Sequence, residues 1–223
     1  DVIVMQLPNC VEMHAIYLAC AINGIVVSPV PVQYRTHELT HVFAITHAKL
    51  AITTQHIGNY PAAQQWAMHA QLFVGLQHIW SLGQDLPDGV TSLSLLLANT
   101  PTWNAQQLRQ HSHDMGVTAH DVLTICWTSG TEARSKGVPR NHNEWLIAGQ
   151  SVSQAGQLQR GAQLLIPFPF VNMAGVSSSL AAWLVVGGTL HHHHPFDLEV
   201  FVAQLRAHPM DYSVAAPAVL NML

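Results

Sequence analysis

Three apolar runs separated by helical patterns leave this chain few ways to fold. Residues 2–7 (VIVMQL) are short and apolar and end at the turn pair Pro8-Asn9. Over 11–23 the apolar residues Val11, Ile16, Leu18, Ala19 and Ile22 recur near helical spacing, and Gly24 stands where a helix stops. Residues 25–32 form a β-branched run carrying Pro29 and Pro31, a helical pattern follows over 34–47, and residues 49–53 (KLAIT) are strand-like again. Strand, helix, strand in this order is the βαβ pattern, so the expected fold class is α/β, with mostly parallel β-sheets flanked by helices.

The rest of the chain is less sharply patterned. A helix is expected over 58–71, a short strand over 72–74, a turn rich in Gly, Asp and Pro over 83–89, and an amphipathic turn pair over 92–98. Residues 99–121 are polar and weakly patterned, a natural place for a boundary. The expected organisation is a first α/β subdomain over 1–115 and a second over 116–223. Within the second, helices are expected over 143–157 and 198–207, and strands over 163–166 and 212–215.

Composition limits the partners. Only 9% of the 223 residues are charged and 49% are hydrophobic, against a typical charged share of about 25%. Such a chain packs against a partner or against sequence that is not present. The net charge of −4 provides no basic patch for nucleic acid. Cys10, Cys20 and Cys126 are odd in number and set among apolar residues, and they read as reduced core thiols, consistent with a cytoplasmic setting. No signal peptide is visible.

No Lys, Arg, Asp or Glu occurs between Arg160 and Asp197, so residues 173–190 need testing as a membrane span. Ser177-Ser178-Ser179 and Gly187-Gly188 break the run. A helix buried on all sides and followed by a Gly-Gly turn explains the same residues. The run His191 to His194 reads as a solvent-facing strand end, and consecutive strand side chains point to opposite faces, so at most two could share a metal ion.

The chemistry is concentrated in residues 125–142 (ICWTSGTEARSKGVPRNH). A strand-like run enters a segment of small hydroxyl and glycine residues, then Arg134, Lys136 and Gly137. Gly130 and Gly137 let the backbone approach a ligand closely, Thr128, Ser129 and Thr131 offer hydroxyl donors, and Lys136 supplies positive charge. That combination points to an anion. The P-loop pattern G-x-x-x-x-G-K-[ST] does not fit, because Ser135 precedes the lysine and Gly137 follows it.

The segment resembles the phosphate-binding signature of the adenylate-forming AMP-dependent synthetases and ligases, acyl-CoA synthetase branch, whose usual form is [YF]-T-S-G-[ST]-T-G-x-P-K-G. Glu132, Ala133 and Ser135 depart from it. A second stretch, Pro169-Phe170-Val171-Asn172-Met173-Ala174-Gly175, resembles the family motif P-[LM]-[FY]-H-x-x-G, with Asn172 in place of His. The early L-P-N turn and the step Pro217-Ala218-Val219-Leu220 are also similar to family segments.

The resemblance implies a partial N-terminal domain of this fold, with the C-terminal lid absent, and a parent enzyme that is an ATP-dependent acid–CoA ligase acting on a fatty or related carboxylic acid. ATP, Mg2+ and CoA would be its cofactor and co-substrates, and the missing part of its own chain its partner. By resemblance Lys136 and Thr128 are catalytic; Thr128, Ser129, Gly130, Thr131, Glu132, Lys136 and Gly137 bind nucleotide; and Asn172, Met173 and Gly175 line the substrate site. No residue is expected to hold a metal. The fragment alone is expected to be inactive; the alternative is a non-catalytic nucleotide-binding remnant, or a structural domain that keeps the fold.

Overall fold

The computed structural model describes residues 1–128 and 134–222. A seven-stranded sheet contains β1 (Val2–Met5), β2 (Val26–Pro29), β3 (Leu50–Thr54), β4 (His78–Leu82), β5 (Val90–Ser92), β6 (Val122–Thr128) and β7 (Lys136–Asn141) in the order β5-β4-β3-β1-β2-β6-β7. Every neighbouring pair is parallel except β6 and β7, which are antiparallel. A second, three-stranded parallel sheet contains β8 (Gln163–Ile166), β9 (Thr189–His192) and β10 (Tyr212–Ser213) in the order β10-β8-β9.

The parallel order expected from the first 54 residues is thus observed, and β1 shows why its run is unbroken. Ile3 and Met5 enter one buried cluster while Val4 enters another. Alternate side chains of a strand leave on opposite faces, so a strand covered on both faces has no position left for a polar residue. The first cluster holds α1 (Val11–Asn23) and the second sheet, through Met13, Tyr17, Leu164 and Phe170. The second cluster holds α2 (Thr36–Thr46) and α3 (Ala62–Met68), through Leu39, Phe43 and Trp66. Full burial of side chains of this size contributes about 1.5–3 kcal/mol each.

Local signals set the helix ends. Gly24 takes φ 63°, and its N–H donates to the Cys20 carbonyl. Glu38 accepts from the Arg35 N–H at 2.9 Å, which satisfies a donor at the start of α2 and holds the carboxyl below its ordinary range. Beyond β1, buried Gln6 donates to the carbonyls of Pro31 (3.0 Å) and Tyr34 (2.9 Å) and accepts from the Trp66 indole at 3.0 Å. The amide therefore joins the β2–α2 turn to α3.

The two sheets meet across α1 and the turn before it. Asn9 donates to the Phe168 carbonyl at 2.8 Å and accepts from the Phe170 N–H at 3.1 Å, while the buried Tyr17 hydroxyl donates to the Phe170 carbonyl at 2.7 Å. The L-P-N turn is thus a clamp on the loop that follows β8 of the second sheet.

Several expectations need correction. Leu72 closes a 3-10 turn (Ala70–Leu72), and the fourth strand is β4. The stretch 92–98 holds the last residue of β5 and the helix α4 (Leu93–Ala98), and the polar stretch 99–121 contains α5 (Ala105–Asp114), capped by Asn104 and Gln107. Sheet membership changes between β7 and β8, whereas the division expected from the sequence lies at 115/116. The helical run over 173–186 comprises α7 (Met173–Val176), a π-helical segment (Ser177–Ala181) and α8 (Ala182–Val186), ending at Gly187 with φ 61°. It is not buried all round, because Leu184 and Val185 are exposed. No described helix is long and apolar enough to cross a membrane.

The histidine run is not solvent-facing. His193 is 3% exposed and its neighbours are partly buried. The faces alternate as strand geometry requires: His191 meets Gln163 at 2.8 Å, and His192 packs edge-on against His14 with ring centroids 4.9 Å apart. α6 (His142–Ala155) lies between β7 and β8, α9 (Leu198–Ala207) follows the histidine run, and α10 (Pro217–Leu220) is the last described helix.

Candidate functional site

The phosphate-loop segment joins the two strands of a β-hairpin. Thr128, the last residue of β6, pairs with Lys136, the first of β7, and Trp127 pairs with Gly137. Both Thr128 and Lys136 are exposed, so a hydroxyl and an ammonium group stand side by side at the mouth of the hairpin. Among the described residues, no helix begins between β6 and β7. α6 starts only after β7, so its N-terminus lies away from Thr128 and Lys136 in the chain. Ser129, Gly130, Thr131 and Glu132 lie outside the described residues.

The hairpin stem is tightly fixed. A Cβ on Gly137 would lie 2.7 Å from the Ile125 methyl, so glycine is required here for packing against β6. The Trp127 indole donates to Ser28 of β2 at 2.9 Å, and the Trp145 indole of α6 donates to Thr124 of β6 at 3.0 Å. Cys126, two residues before Thr128, is buried, and burial pushes its thiol up to about 11. It is therefore an un-ionised packing residue and no nucleophile.

His41 of α2 reaches the same hairpin. Its Nε2 lies 2.9 Å from the Ser135 carbonyl oxygen, and its ring stands edge-on to Trp127 at 6.0 Å between centroids. Beside it an open cleft of about 600 Å3, bordered by His37, Glu38, His41 and Arg134, runs between α2 and the hairpin.

The second motif is arranged differently. Asn172 caps α7, accepting from the Gly175 N–H at 2.9 Å. Gly175 is buried, and an added Cβ would collide with the Pro169 carbonyl oxygen. Met173 is 38% exposed and accepts a contact from Arg140 Nε at 3.4 Å; Arg140 also pairs with Glu144 at 3.0 Å. Arg140 of β7 thus links the two motifs. Sequence reasoning missed both His41, which lies outside any motif, and Arg140, which lies past the matched signature that ends at Gly137.

A family model described as "AMP-binding enzyme" matches residues 1–223. The chain belongs to the AMP-binding enzyme family. Over 227 residues it is 25% identical to an oxalate–CoA ligase from Arabidopsis thaliana, which spans 100% of this chain and 41% of the relative. It is 24% identical over 225 residues to a crotonobetaine/carnitine–CoA ligase from Salmonella arizonae, again covering 100% of this chain and 41% of the relative. The chain therefore spans about two-fifths of the length of the curated relatives it matches, and corresponds to their N-terminal part. The fold is shared with a long-chain-fatty-acid-CoA ligase (FadD1) from Archaeoglobus fulgidus, with a TM-score of 0.76 and 17% identity, covering 100% of this chain and 41% of that one.

Proposed function

We propose that this chain is the phosphate-binding part of an enzyme that activates a carboxylic acid, fatty or related, with ATP and passes the acyl group to CoA. The observation that carries the reading is the pairing of exposed Lys136 with exposed Thr128 at the mouth of the β6–β7 hairpin, in a chain matched throughout by the AMP-binding family. In the reaction a substrate carboxylate oxygen attacks the α-phosphorus of ATP, the bond to the bridging oxygen breaks, and pyrophosphate leaves. A thiolate of CoA then attacks the acyl carbon, and AMP leaves with the electron pair of the broken bond.

The chain's own contribution is electrostatic. Lys136 and the Thr128 hydroxyl are placed to donate to the phosphate oxygens on which negative charge grows, with Ser129, Gly130, Thr131 and Glu132 completing the loop and Gly137 setting the stem. Mg2+ enters this reading bound to the nucleotide phosphates. Asn172, Met173 and Gly175 are assigned to the acid side of the site, and Arg140 ties that side to the hairpin. Three free thiols, Cys10, Cys20 and Cys126, support a cytoplasmic setting.

The test uses the chain completed to the length of its relatives. Acid-dependent exchange of pyrophosphate into ATP is expected, and Lys136→Ala should weaken ATP binding about 10- to 150-fold, the loss of one charge-assisted hydrogen bond. An unchanged affinity in Lys136→Ala would remove the phosphate assignment. Binding of ATP without exchange would identify a nucleotide-binding remnant, and absence of both a structural domain.

A further inference from the structure

We infer that His41 is a positioning residue for the phosphate loop. It is the one described side chain of α2 that meets both shoulders of the hairpin loop: the Ser135 carbonyl at the descending end and the Trp127 ring at the ascending end. These two residues directly flank the pair to which phosphate binding is assigned, since Ser135 precedes Lys136 and Trp127 precedes Thr128. A carbonyl oxygen only accepts, so Nε2 carries the proton and donates. Trp127 is itself anchored to Ser28 of β2. The imidazole therefore spans from a rigid helix, whose Leu39, Val42 and Phe43 are buried, to a loop stem already fixed to the sheet.

The geometry decides what His41 can do. Residues 134 and 135 lie beyond the last strand pair, Thr128 with Lys136. The bond from His41 extends the fixed part of the stem by one residue, which sets the direction in which the chain enters Lys136. Beside this contact the 600 Å3 cleft opens between α2 and the hairpin, and the imidazole bond crosses from α2 to Ser135 at its edge. The role in nucleotide binding rests on the function proposed above, but the mechanical role does not.

Trypsin provides a direct readout, because the Arg134–Ser135 bond lies within the segment that His41 holds. His41→Phe keeps an aromatic ring beside Trp127 and removes the donor. It should raise nicking after Arg134 about 5-fold, the effect of losing one hydrogen bond that opposes local opening, and leave nicking after Arg160 unchanged. His41→Gln retains a side-chain N–H and should restore most of the protection. Equal nicking of wild type and His41→Phe after Arg134, or nicking of His41→Gln as fast as that of His41→Phe, would overturn the inference. Should His41→Phe fail to fold, the 15N spectrum of the unmodified chain decides: the His41 ring must carry its proton on Nε2, and an Nδ1–H ring overturns it.

The nucleotide arm uses the same digestion with MgATP. Protection of Arg134 in wild type, together with a Kd about 5-fold higher in His41→Phe and near wild type in His41→Gln, is the expected result. Lack of protection by ATP while the His41 effect on nicking persists would reject nucleotide binding and keep the positioning role. Protection by ATP with no effect of His41→Phe would do the reverse.

Discussion

The two motifs that resemble the family signatures are put to opposite uses. At the hairpin, Thr128 and Lys136 pair through their backbones and turn their side chains outward, so the sheet does not depend on what those side chains are. In the second motif, the Asn172 side chain caps α7 and Gly175 packs against the Pro169 carbonyl, so the same residues that the resemblance assigns to substrate already serve the fold. A motif can therefore mark ligand chemistry, structure or both, and the hydrogen-bond partners separate the cases.

The contrast can be broken by substitution. Gly175→Ala is expected to have the largest effect, a loss of about 3 kcal/mol of stability from a Cβ forced against backbone, read as a lowered Tm. Lys136→Ala should leave stability within about 0.5 kcal/mol of wild type even where nucleotide affinity falls. A stable Gly175→Ala, or an unstable Lys136→Ala, would cancel the distinction.

Acid tests the inward-facing polar groups in a second place. Burial first, then the nearby His192, lowers the His14 pKa from 6.5 to about 4, against an opposing contact with the Cys10 carbonyl. The folded ring stays neutral while the unfolded one protonates below pH 6.5, so this contribution is present in full above that pH and is lost as pH falls from 6.5 toward 4. At pH 5.5 the loss from His14 is about 1.4 kcal/mol. Melting curves at pH 7 and 5.5 should show it, and His14→Phe should flatten part of the difference. Asn172→Ala should cost about 1 kcal/mol for a lost helix cap, with Asn172→Asp close to wild type. An Asn172→Ala protein of full stability would return Asn172 to a purely ligand-facing role.

Much of this architecture was legible because the relevant signals are local. The run VIVM, the helix of residues 11–23 and its Gly24 stop each carry their own periodicity, and the structure places those elements within a few residues of expectation. β7 was hidden because Gly137 and Pro139 read as turn residues; Pro139 is tolerated because β7 is the last strand of its sheet. β4 was hidden by polar residues in HIWSL, among them Ser81, which is buried with its hydroxyl turned to the Leu82 carbonyl. α5 has no apolar face to detect, although the pair Asn104 and Gln107 was a readable cap. Of the candidate site, the spacing of Thr128 and Lys136 could be read directly. His41 could not, since its partner Ser135 is 94 positions away and the contact depends on how α2 lies over the sheet.

The Gln6 amide has a consequence for how the first sheet comes apart. Its three bonds engage the carbonyls of Pro31 and Tyr34 in the β2–α2 turn and the indole of Trp66 in α3. Detaching α3 alone would leave a buried amide oxygen without a donor, and detaching the β2–α2 turn would strand its N–H groups; either costs about as much as a lost buried hydrogen bond, about 1–3 kcal/mol. Neither piece can fray at low cost while the other stays. The amide, 60 positions from Trp66, thus couples the opening of the β2–α2 turn and α3 into one cooperative event.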